Sequence, residues 1–335
     1  MDRAGVAPSQ QYADRLKLVA AYDQAGFDMY HLAEHHSTPL GMSPSPSVFL
    51  AAVSQQTRRL RFGPLVYPLV LYHPLRLYEE ICMLDHMSGG RFEFGVGKGA
   101  SPHELAIYGV DISNPANPQY AEALTVLMRQ FTHDSVDFEG VFYTFRDVPV
   151  ELKPLQQPAP PMWYGVSRAD SAARAARSKY NVVANLPAAA ARPVLDAYRD
   201  EWLAAGGQAA DLPRHGVNRH VVIADTDEQA QAIAGRSYAR WIESFWMLWD
   251  KRGQRPPYSI YPETFAEAQK LGYGVAGTAE RVLDTLAAQT VQAGGNYLVC
   301  RFAFGDMALS ETMRSVELFQ RTVMPGLTAA RAAAE

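Results

Sequence analysis

The sequence has very little cysteine: its 335 residues include two, Cys82 and Cys300. Each lies in an apolar stretch, EEICML and NYLVCRF, and no CxxC pair or Cys/His spacing typical of a zinc site occurs. We therefore predict two reduced thiols in the core, without a disulfide framework or a structural metal site.

Long apolar runs and an excess of one charge are also missing. No stretch approaches the roughly 20 apolar residues of a membrane-spanning helix, so we expect no membrane association. The 31 basic and 35 acidic residues give a net charge of −4 without a long block of one sign. This balance argues against a nucleic-acid partner. The N-terminal segment MDRAGVAPSQQ has no apolar signal core, which favours a cytoplasmic protein.

What the sequence does contain is an alternation of strand and helix patterns. Buried-strand patterns such as FDMYHLA, RFEFGVG and NVVANL alternate with helical patterns such as QQYADRLKLVAAYDQAG. This alternation predicts an α/β fold, a (β/α)8 TIM barrel that forms a single domain over residues 1–335. VDFEGVFYTFRDVPVEL alternates around Gly140 and predicts an inserted β-hairpin. Only about ten polar residues precede the first helical pattern, so we expect the first barrel strand to be missing from this sequence.

The triplet Glu34-His35-His36 directly follows the FDMYHLA strand. Catalytic groups of a barrel gather at the carboxyl ends of its strands, which is where this triplet is expected. HExxH is absent and no other strand end offers His-x-His, so we predict no metal here. From these residues alone, the triplet either stabilises its loop or provides a proton-carrying histidine.

Several longer segments carry a resemblance to a known family. AEHH at a strand end, HPLRLYEEICMLDHMSGGRFEFGVGKG, PPMWYGVSRADSAARAA and the C-terminal VMPGL resemble the bacterial luciferase-like, flavin-dependent monooxygenases over nearly the whole chain. GVGKG alone fits neither a dinucleotide fingerprint nor a P-loop. The resemblance implies a TIM-barrel oxidoreductase that uses reduced FMN and O₂ on a small organic substrate. It also implies a separate flavin reductase as partner, and a homodimer.

The resemblance assigns roles to individual residues. The acid/base near the flavin corresponds to His35, and its acidic companion to Glu104, which would hold the tautomer of the imidazole. Glu34 and His36 are then expected mainly to shape the loop. Leu65-Val66 matches a non-prolyl cis step against which the isoalloxazine packs, although two core aliphatic residues would look the same in the sequence.

Four more residues are implied to hold the flavin phosphate. Lys98, in GVGKG, stands where the family usually has arginine, and it keeps the charge but lacks the bidentate fork. Ser167, Arg168 and Ser171 begin the helix after PMWYGV, where backbone N–H groups bind phosphate. Arg168 departs from the family pattern and adds positive charge. Helix capping alone would also account for Ser167 and Ser171.

The segment 249–274 corresponds to a mobile lid of the family. Trp246, Trp249 and Tyr258, in and just before this segment, are candidates to line an apolar substrate pocket. A buried aromatic face of the neighbouring helix explains them equally well.

Two alternative functions stay open. The same fold can use the deazaflavin F420 for hydride transfer without O₂, and both cofactors share the ring and ribityl-phosphate part. A non-enzymatic flavin-binding barrel is the other alternative, which the altered phosphate residues favour and His35 opposes. No residue in the sequence selects a substrate.

Overall fold

The computed structural model of the protein describes residues 2–3, 5–99, 101–111, 118–253, 255 and 261–332. The chain divides into two compact units. The larger unit consists of Met1–Phe27, Thr38–Met42 and Tyr164–Glu335, and the smaller unit of Asp28–Ser37 and Ser43–Trp163.

Strands and helices alternate along the described residues, which confirms the predicted α/β class. The strands are β1 (Met29–Leu32), β2 (Arg61–Pro64), β3 (Tyr67–Pro68), β4 (Phe94–Gly97), β5 (Ser135–Glu139), β6 (Thr144–Pro149), β7 (Met162–Val166), β8 (Asn181–Ala184), β9 (His215–Ile223), β10 (Gly274–Gly277) and β11 (Tyr297–Arg301). The helices are α1 (Pro8–Ala25), α2 (Pro46–Gln56), α3 (Pro74–Ser88), α4 (Pro102–Ile107), α5 (Gln119–Thr132), α6 (Ala169–Arg177), α7 (Ala188–Ala204), α8 (Asp227–Arg252), α9 (Phe265–Leu271), α10 (Ala279–Ala293), α11 (Leu309–Leu318) and α12 (Met324–Ala332). Within the described residues, no helix is long and apolar enough to cross a membrane.

The strands of the smaller unit bring their carboxyl ends together. β1 and β2 run parallel and in register over their full lengths, and β3 and β4 form a second parallel pair. A parallel bridge between Phe62 and Phe92 joins β2 to the chain just before β4. Gly63 permits this approach, because a Cβ there would lie 1.8 Å from the carbonyl oxygen of Glu93. The loops after β1, β2 and β4 therefore leave one edge of the sheet, the edge at which parallel α/β sheets bind ligands.

β9 is the central strand of the larger unit. β8 pairs with its first residues, β11 with its middle and β10 with its last four residues, all in parallel. Gly216 lets β11 lie against β9, because a Cβ there would lie 1.6 Å from the carbonyl oxygen of Tyr297. In this register Arg301, the last residue of β11, stands opposite His220 of β9.

The inserted hairpin is present as predicted. β5 and β6 pair antiparallel on either side of Gly140. The carboxylate of Glu122 in α5 accepts hydrogen bonds of 2.8, 2.9 and 3.2 Å from the backbone N–H groups of residues 141–143. The turn of the hairpin is thus fixed to a helix of the same unit.

Both cysteines are free thiols, as predicted. Cys82 is buried, and burial raises the pKa of its thiol to about 11. Cys300, on β11, is partly exposed as a residue, but burial of its sulfur raises the pKa of the thiol to about 12. Ahead of α1, none of the described residues 2–3 and 5–7 forms a strand. The Asp2 carboxylate instead accepts a 2.6 Å hydrogen bond from the backbone N–H of Gly305.

Glu93 supplies a test of the core of the smaller unit. This residue is fully buried, and its carboxylate accepts hydrogen bonds from Arg61 Nε and, at 2.5 Å, from Trp163 Nε1. Alanine at position 93 would leave a guanidinium and an indole N–H without this acceptor. We predict that Glu93→Ala lowers the free energy of unfolding by about 3 kcal/mol, and Glu93→Gln by roughly half as much.

Urea denaturation followed by circular dichroism measures this loss. Glu139→Gln is the matched control, since Glu139 pairs with Arg146 on the surface of the same unit and is 76% exposed. It should unfold at the urea concentration of the wild type. A Glu93→Ala midpoint equal to that of the control would contradict the prediction.

Candidate active site

The predicted catalytic residues lie beyond the carboxyl ends of β1 and β4 in the smaller unit. His35 follows β1 by three residues, and Glu104 lies in the first turn of α4, which follows β4. The hydroxyl of Ser101 caps this helix by accepting the backbone N–H of Glu104 at 3.4 Å. The helix start thereby fixes the position from which the Glu104 side chain extends.

The structure brings His35 and Glu104 into direct contact. His35 Nδ1 lies 3.1 Å from Glu104 Oε1, and Glu104 Oε2 accepts the backbone N–H of His36 at 2.8 Å. The His35 side chain is 19% exposed and that of Glu104 is 11% exposed. With the ionised carboxylate as acceptor, Nδ1 of His35 carries the proton and Nε2 stays available as the reactive nitrogen. No described residue hydrogen-bonds that Nε2.

A second chain of hydrogen bonds runs through the same loop. His36 Nε2 lies 2.7 Å from Glu34 Oε1, and His36 Nδ1 lies 2.9 Å from the hydroxyl of Tyr108. The hydroxyl of Tyr72 donates to Glu34 Oε2 at 2.6 Å. These contacts tie the loop to two other segments of the unit. They are what a loop-shaping role of Glu34 and His36 requires.

Burial dominates the electrostatics of this second chain. It raises the pKa of the Glu34 carboxyl, and the hydrogen bonds from His36 and Tyr72 lower that pKa by less. Burial and the neighbouring Glu34 carboxylate both raise the pKa of Tyr72, so its phenol stays protonated and donates. No local sequence pattern points to Tyr72 or Tyr108, which lie 38 and 72 residues from their partners.

The peptide bond between Leu65 and Val66 is cis, as the family resemblance implies. Both side chains are partly exposed just beyond β2. β4 can approach this cis peptide bond only because it carries glycines at positions 95 and 97. A Cβ on Gly97 would come within 2.7 Å of Val66 Cγ2, and one on Gly95 within 2.7 Å of the Pro64 carbonyl oxygen. The result is an apolar, partly exposed surface at the strand ends.

Lys98 follows β4 directly and is exposed. Its Nζ lies 5.9 Å from the ring centroid of Tyr120, within the range of a cation–π contact. Among the described residues, no carboxylate forms an ion pair with it. Lys98 therefore presents an unneutralised positive charge at the edge that carries His35.

The other three predicted phosphate residues begin α6 in the larger unit. Arg168 is the N-cap residue, and its Nε donates to the carboxylate of Asp170 at 2.9 Å. Ser171 Oγ donates to the carbonyl oxygen of Arg168 at 2.8 Å. Ser167 is exposed, and no side chain caps the first N–H groups of the helix. Asp170 is shared with Arg174, whose Nη1 donates to its other oxygen at 2.9 Å. One carboxylate thus faces two guanidinium groups at the start of α6, where the backbone donors remain.

Two of the three aromatic residues proposed to line a substrate pocket lie within the described residues. Trp246 is buried and its ring lies 6.1 Å from that of the half-buried Trp249. Tyr258 lies outside the described residues. Within the described part of the chain, no three His, Cys, Asp or Glu side chains are grouped as metal ligands.

Comparison with known proteins gives matches over most of the chain. A family model described as luciferase-like monooxygenase matches residues 2–297. Protein y4wF of Sinorhizobium fredii is 41% identical and covers 97% of this chain and 94% of its own length. The 4-hydroxyprotoasukamycin monooxygenase of Streptomyces nodosus is 28% identical, with coverages of 92% and 85%. The oxygenase component of the flavin-dependent trigonelline monooxygenase of Acinetobacter baylyi is 24% identical, with coverages of 95% and 91%.

Solved structures agree in fold. Monooxygenase RslO1 of Streptomyces bottropensis has a TM-score of 0.85 at 24% identity, covering 95% of this chain and 94% of its own. The oxygenating constituent of 3,6-diketocamphane monooxygenase of Pseudomonas putida, in complex with FMN, has a TM-score of 0.77 at 21% identity, covering 97% of this chain and 95% of its own. The coenzyme F420-dependent tetrahydromethanopterin reductase of Methanopyrus kandleri has a TM-score of 0.71 at 18% identity, covering 98% of this chain and 97% of its own. These likenesses show the luciferase-like TIM-barrel fold.

The buried Glu34 carboxyl predicts a pH dependence of stability. Its folded-state pKa is raised, so its contribution is fully present at low pH and is lost as the pH rises through that pKa. Glutamine does not titrate, but its amide oxygen still accepts from Tyr72. The urea midpoint of Glu34→Gln relative to wild type should therefore increase over a pH window that begins at about 4.5, the ordinary pKa of a glutamyl carboxyl.

Urea midpoints at five pH values across that window test this dependence. Glu139→Gln again serves as the control, since an exposed carboxyl should give a midpoint difference that does not change with pH. A Glu34→Gln difference that stays flat or decreases as the pH rises would show that burial does not dominate at this carboxyl.

Proposed function

Because the chain belongs to the luciferase-like monooxygenase family, we propose that it oxygenates a small organic substrate with reduced FMN and O₂. The family and its matched relatives are oxidoreductases, so the chain is an enzyme. The observation that carries the proposal is the contact between His35 and Glu104 beyond the carboxyl ends of β1 and β4. Family membership weighs against the alternative of a non-enzymatic flavin-binding barrel.

The residues present fit a flavin. The aliphatic pair Leu65-Val66 offers a partly exposed apolar surface to a planar ring, and the glycines of β4 keep side chains away from the back of that surface. A solved relative in fold is a complex with FMN, which supports the same cofactor here. Reduced FMN, when bound, supplies the electrons that activate O₂.

His35 is proposed to hold and move a proton at Nε2. Glu104 fixes the tautomer through Nδ1 and holds the loop through the backbone N–H of His36. One carboxylate therefore controls both the proton location and the position of the ring. Glu34 and His36 support the loop without taking part in the reaction.

Lys98 and the start of α6 are proposed as ligands of the flavin phosphate. Each assignment rests on its own contacts alone. Lys98 offers an unneutralised ammonium group, and Ser167 with the uncapped N–H groups of α6 offers the donors of a helix N-terminus. Arg168 would contribute by leaving Asp170 for the phosphate, and Ser171 by rotating its hydroxyl away from the carbonyl of Arg168.

The partners follow from the same proposal. The trigonelline monooxygenase relative is named an oxygenase component, which supports a separate flavin reductase for this chain as well. We also propose a homodimer.

The rival cofactor F420 keeps support from an F420-dependent reductase of the same fold. Side-by-side titrations with oxidised and reduced FMN and with F420 separate the two readings: tighter binding of F420 would replace the monooxygenase proposal by hydride transfer.

The first functional prediction concerns His35. His35→Ala should leave FMN affinity nearly unchanged and lower turnover by about 10²–10⁴, the effect of losing a positioned acid/base. Glu104→Gln should lower turnover less, because the amide still accepts the His36 N–H. Turnover is measured on substrates found in a screen with FMN, a flavin reductase, NADH and O₂. His133→Ala, at an exposed histidine of the same unit, is the control. Near-normal turnover of His35→Ala would exclude the proposed role.

The second functional prediction concerns the residues proposed to bind the flavin phosphate. Lys98→Ala and Arg168→Ala should each weaken FMN binding by about tenfold, the loss of one charge-assisted hydrogen bond. Riboflavin, which lacks the phosphate, should bind each variant as it binds the wild type. Arg76→Ala is the control, at an arginine whose side chain is 81% exposed. An equal loss for riboflavin would mean that the variant disturbs the ring site, and unchanged FMN affinity would remove that residue from the phosphate site.

A further inference from the structure

Arg301 has an unusual environment for an arginine. It ends β11 in the larger unit and is only partly exposed. Its Nη1 lies 2.9 Å from Nε2 of His220, and its guanidinium carbon lies 5.4 Å from the ring centroid of Trp241. These are the polar and cation–π contacts of a side chain held in one orientation.

His220 does not neutralise this guanidinium. The ring is 2% exposed, and burial together with the charge of Arg301 holds its pKa well below the usual range. A neutral imidazole accepts the Nη1–H of Arg301 at Nε2. The bond fixes the arginine and uses one of its five N–H groups, but the positive charge remains.

No carboxylate balances Arg301 within the described part of the chain. Arg255, in the same unit, shows the ordinary arrangement: it also lies over an indole, 5.0 Å from the centroid of Trp246, but it pairs with Asp250 and with Glu263 at 3.0 Å. Arg219 of the same unit also has no carboxylate partner, but Gln289 and two carbonyl oxygens accept its N–H groups. Among the described residues, only His220 accepts a hydrogen bond from the guanidinium of Arg301. Arg301 therefore keeps both its charge and unused donors, which suit an anionic ligand.

The surroundings indicate what kind of ligand carries that anion. The ring of Tyr261 lies 4.9 Å from Trp241, and that of Phe304 lies 4.7 Å from His220. The hydroxyl of Tyr261 accepts a hydrogen bond from Asn185, which directly follows β8. β8 and β11 both run parallel to β9, so Asn185 and Arg301 lie at the carboxyl ends of parallel strands of one sheet, where ligands of α/β proteins bind.

We propose that Arg301 binds the carboxylate of a substrate whose remaining part is planar and apolar. With Nη1 bound to His220, the Nε and Nη2 groups form the fork that matches a carboxylate bidentately. The aromatic side chains around it suit a ring more than an extended polar chain. This inference rests on the proposed oxygenase function for the word substrate, and it adds to that function a class of substrate, aromatic acids.

Equilibrium binding tests the site without flavin, reductase or turnover. Benzoate and indole-3-acetate are titrated against their uncharged amides, benzamide and indole-3-acetamide, with calorimetry as the readout. The wild type should prefer each acid over its amide by about tenfold or more. Arg301→Gln should lose this preference by weakening the acids alone, and Arg301→Lys should keep part of it. Arg192→Gln, at an exposed arginine of the same unit that pairs with Asp196, should behave as the wild type.

Each outcome of these titrations either supports or overturns the proposed carboxylate site. Equal binding of acids and amides by the wild type, or an unchanged preference in Arg301→Gln, overturns the proposal. FMN is titrated against the same variants, and a loss of FMN affinity in Arg301→Gln as large as the loss for benzoate would assign the arginine to the cofactor instead. Circular dichroism checks that each variant is folded. An acid preference without oxygenation in the substrate screen would support the carboxylate site and count against the proposed function, so the two can fail separately.

Discussion

The carboxylate of Glu104 uses both of its oxygens, one on the ring of His35 and one on the backbone N–H of His36. A single side chain therefore fixes the path of the loop after β1 and the tautomer of the histidine it carries. Neither contact is made within a strand or a helix, since Glu104 comes from the start of α4 and reaches a loop 68 residues earlier in the chain. The site depends on this bridge, because without it the imidazole has neither a fixed position nor a fixed proton.

Other buried carboxylates of the smaller unit work in the same way. Glu93 joins Arg61 to Trp163, Glu34 joins His36 to Tyr72, and Glu122 holds the turn of the β5–β6 hairpin. A buried carboxylate must be hydrogen-bonded, so each of these residues fixes the distance between two segments that the strand pairings leave undetermined. The strands set the sheet, and the carboxylates set the loops around its edge.

This division explains what the sequence can predict. Apolar periodicity located most strands, and the Gly140 pattern located the hairpin, because both depend on neighbouring residues. The pairing of His35 with Glu104 and the cis bond at Leu65-Val66 followed from a family resemblance. The contacts of Tyr72 and Glu93 join positions far apart in the chain, and no local pattern encodes them. The short elements β10, α4 and α9 were not predicted, because four to seven residues are too few for a hydrophobic period to be recognised.

The contrast between two histidines shows why the partner matters more than the residue type. His35 lies just beyond the carboxyl end of β1 and His220 lies within β9, and either residue type could act as a proton carrier. His35 faces a carboxylate, which can balance the charge of an imidazolium, whereas His220 is buried against a guanidinium, which adds to that charge. The first arrangement suits proton transfer. The second makes the histidine a permanent acceptor, and its effect is to hold Arg301 in place with the charge of the guanidinium intact.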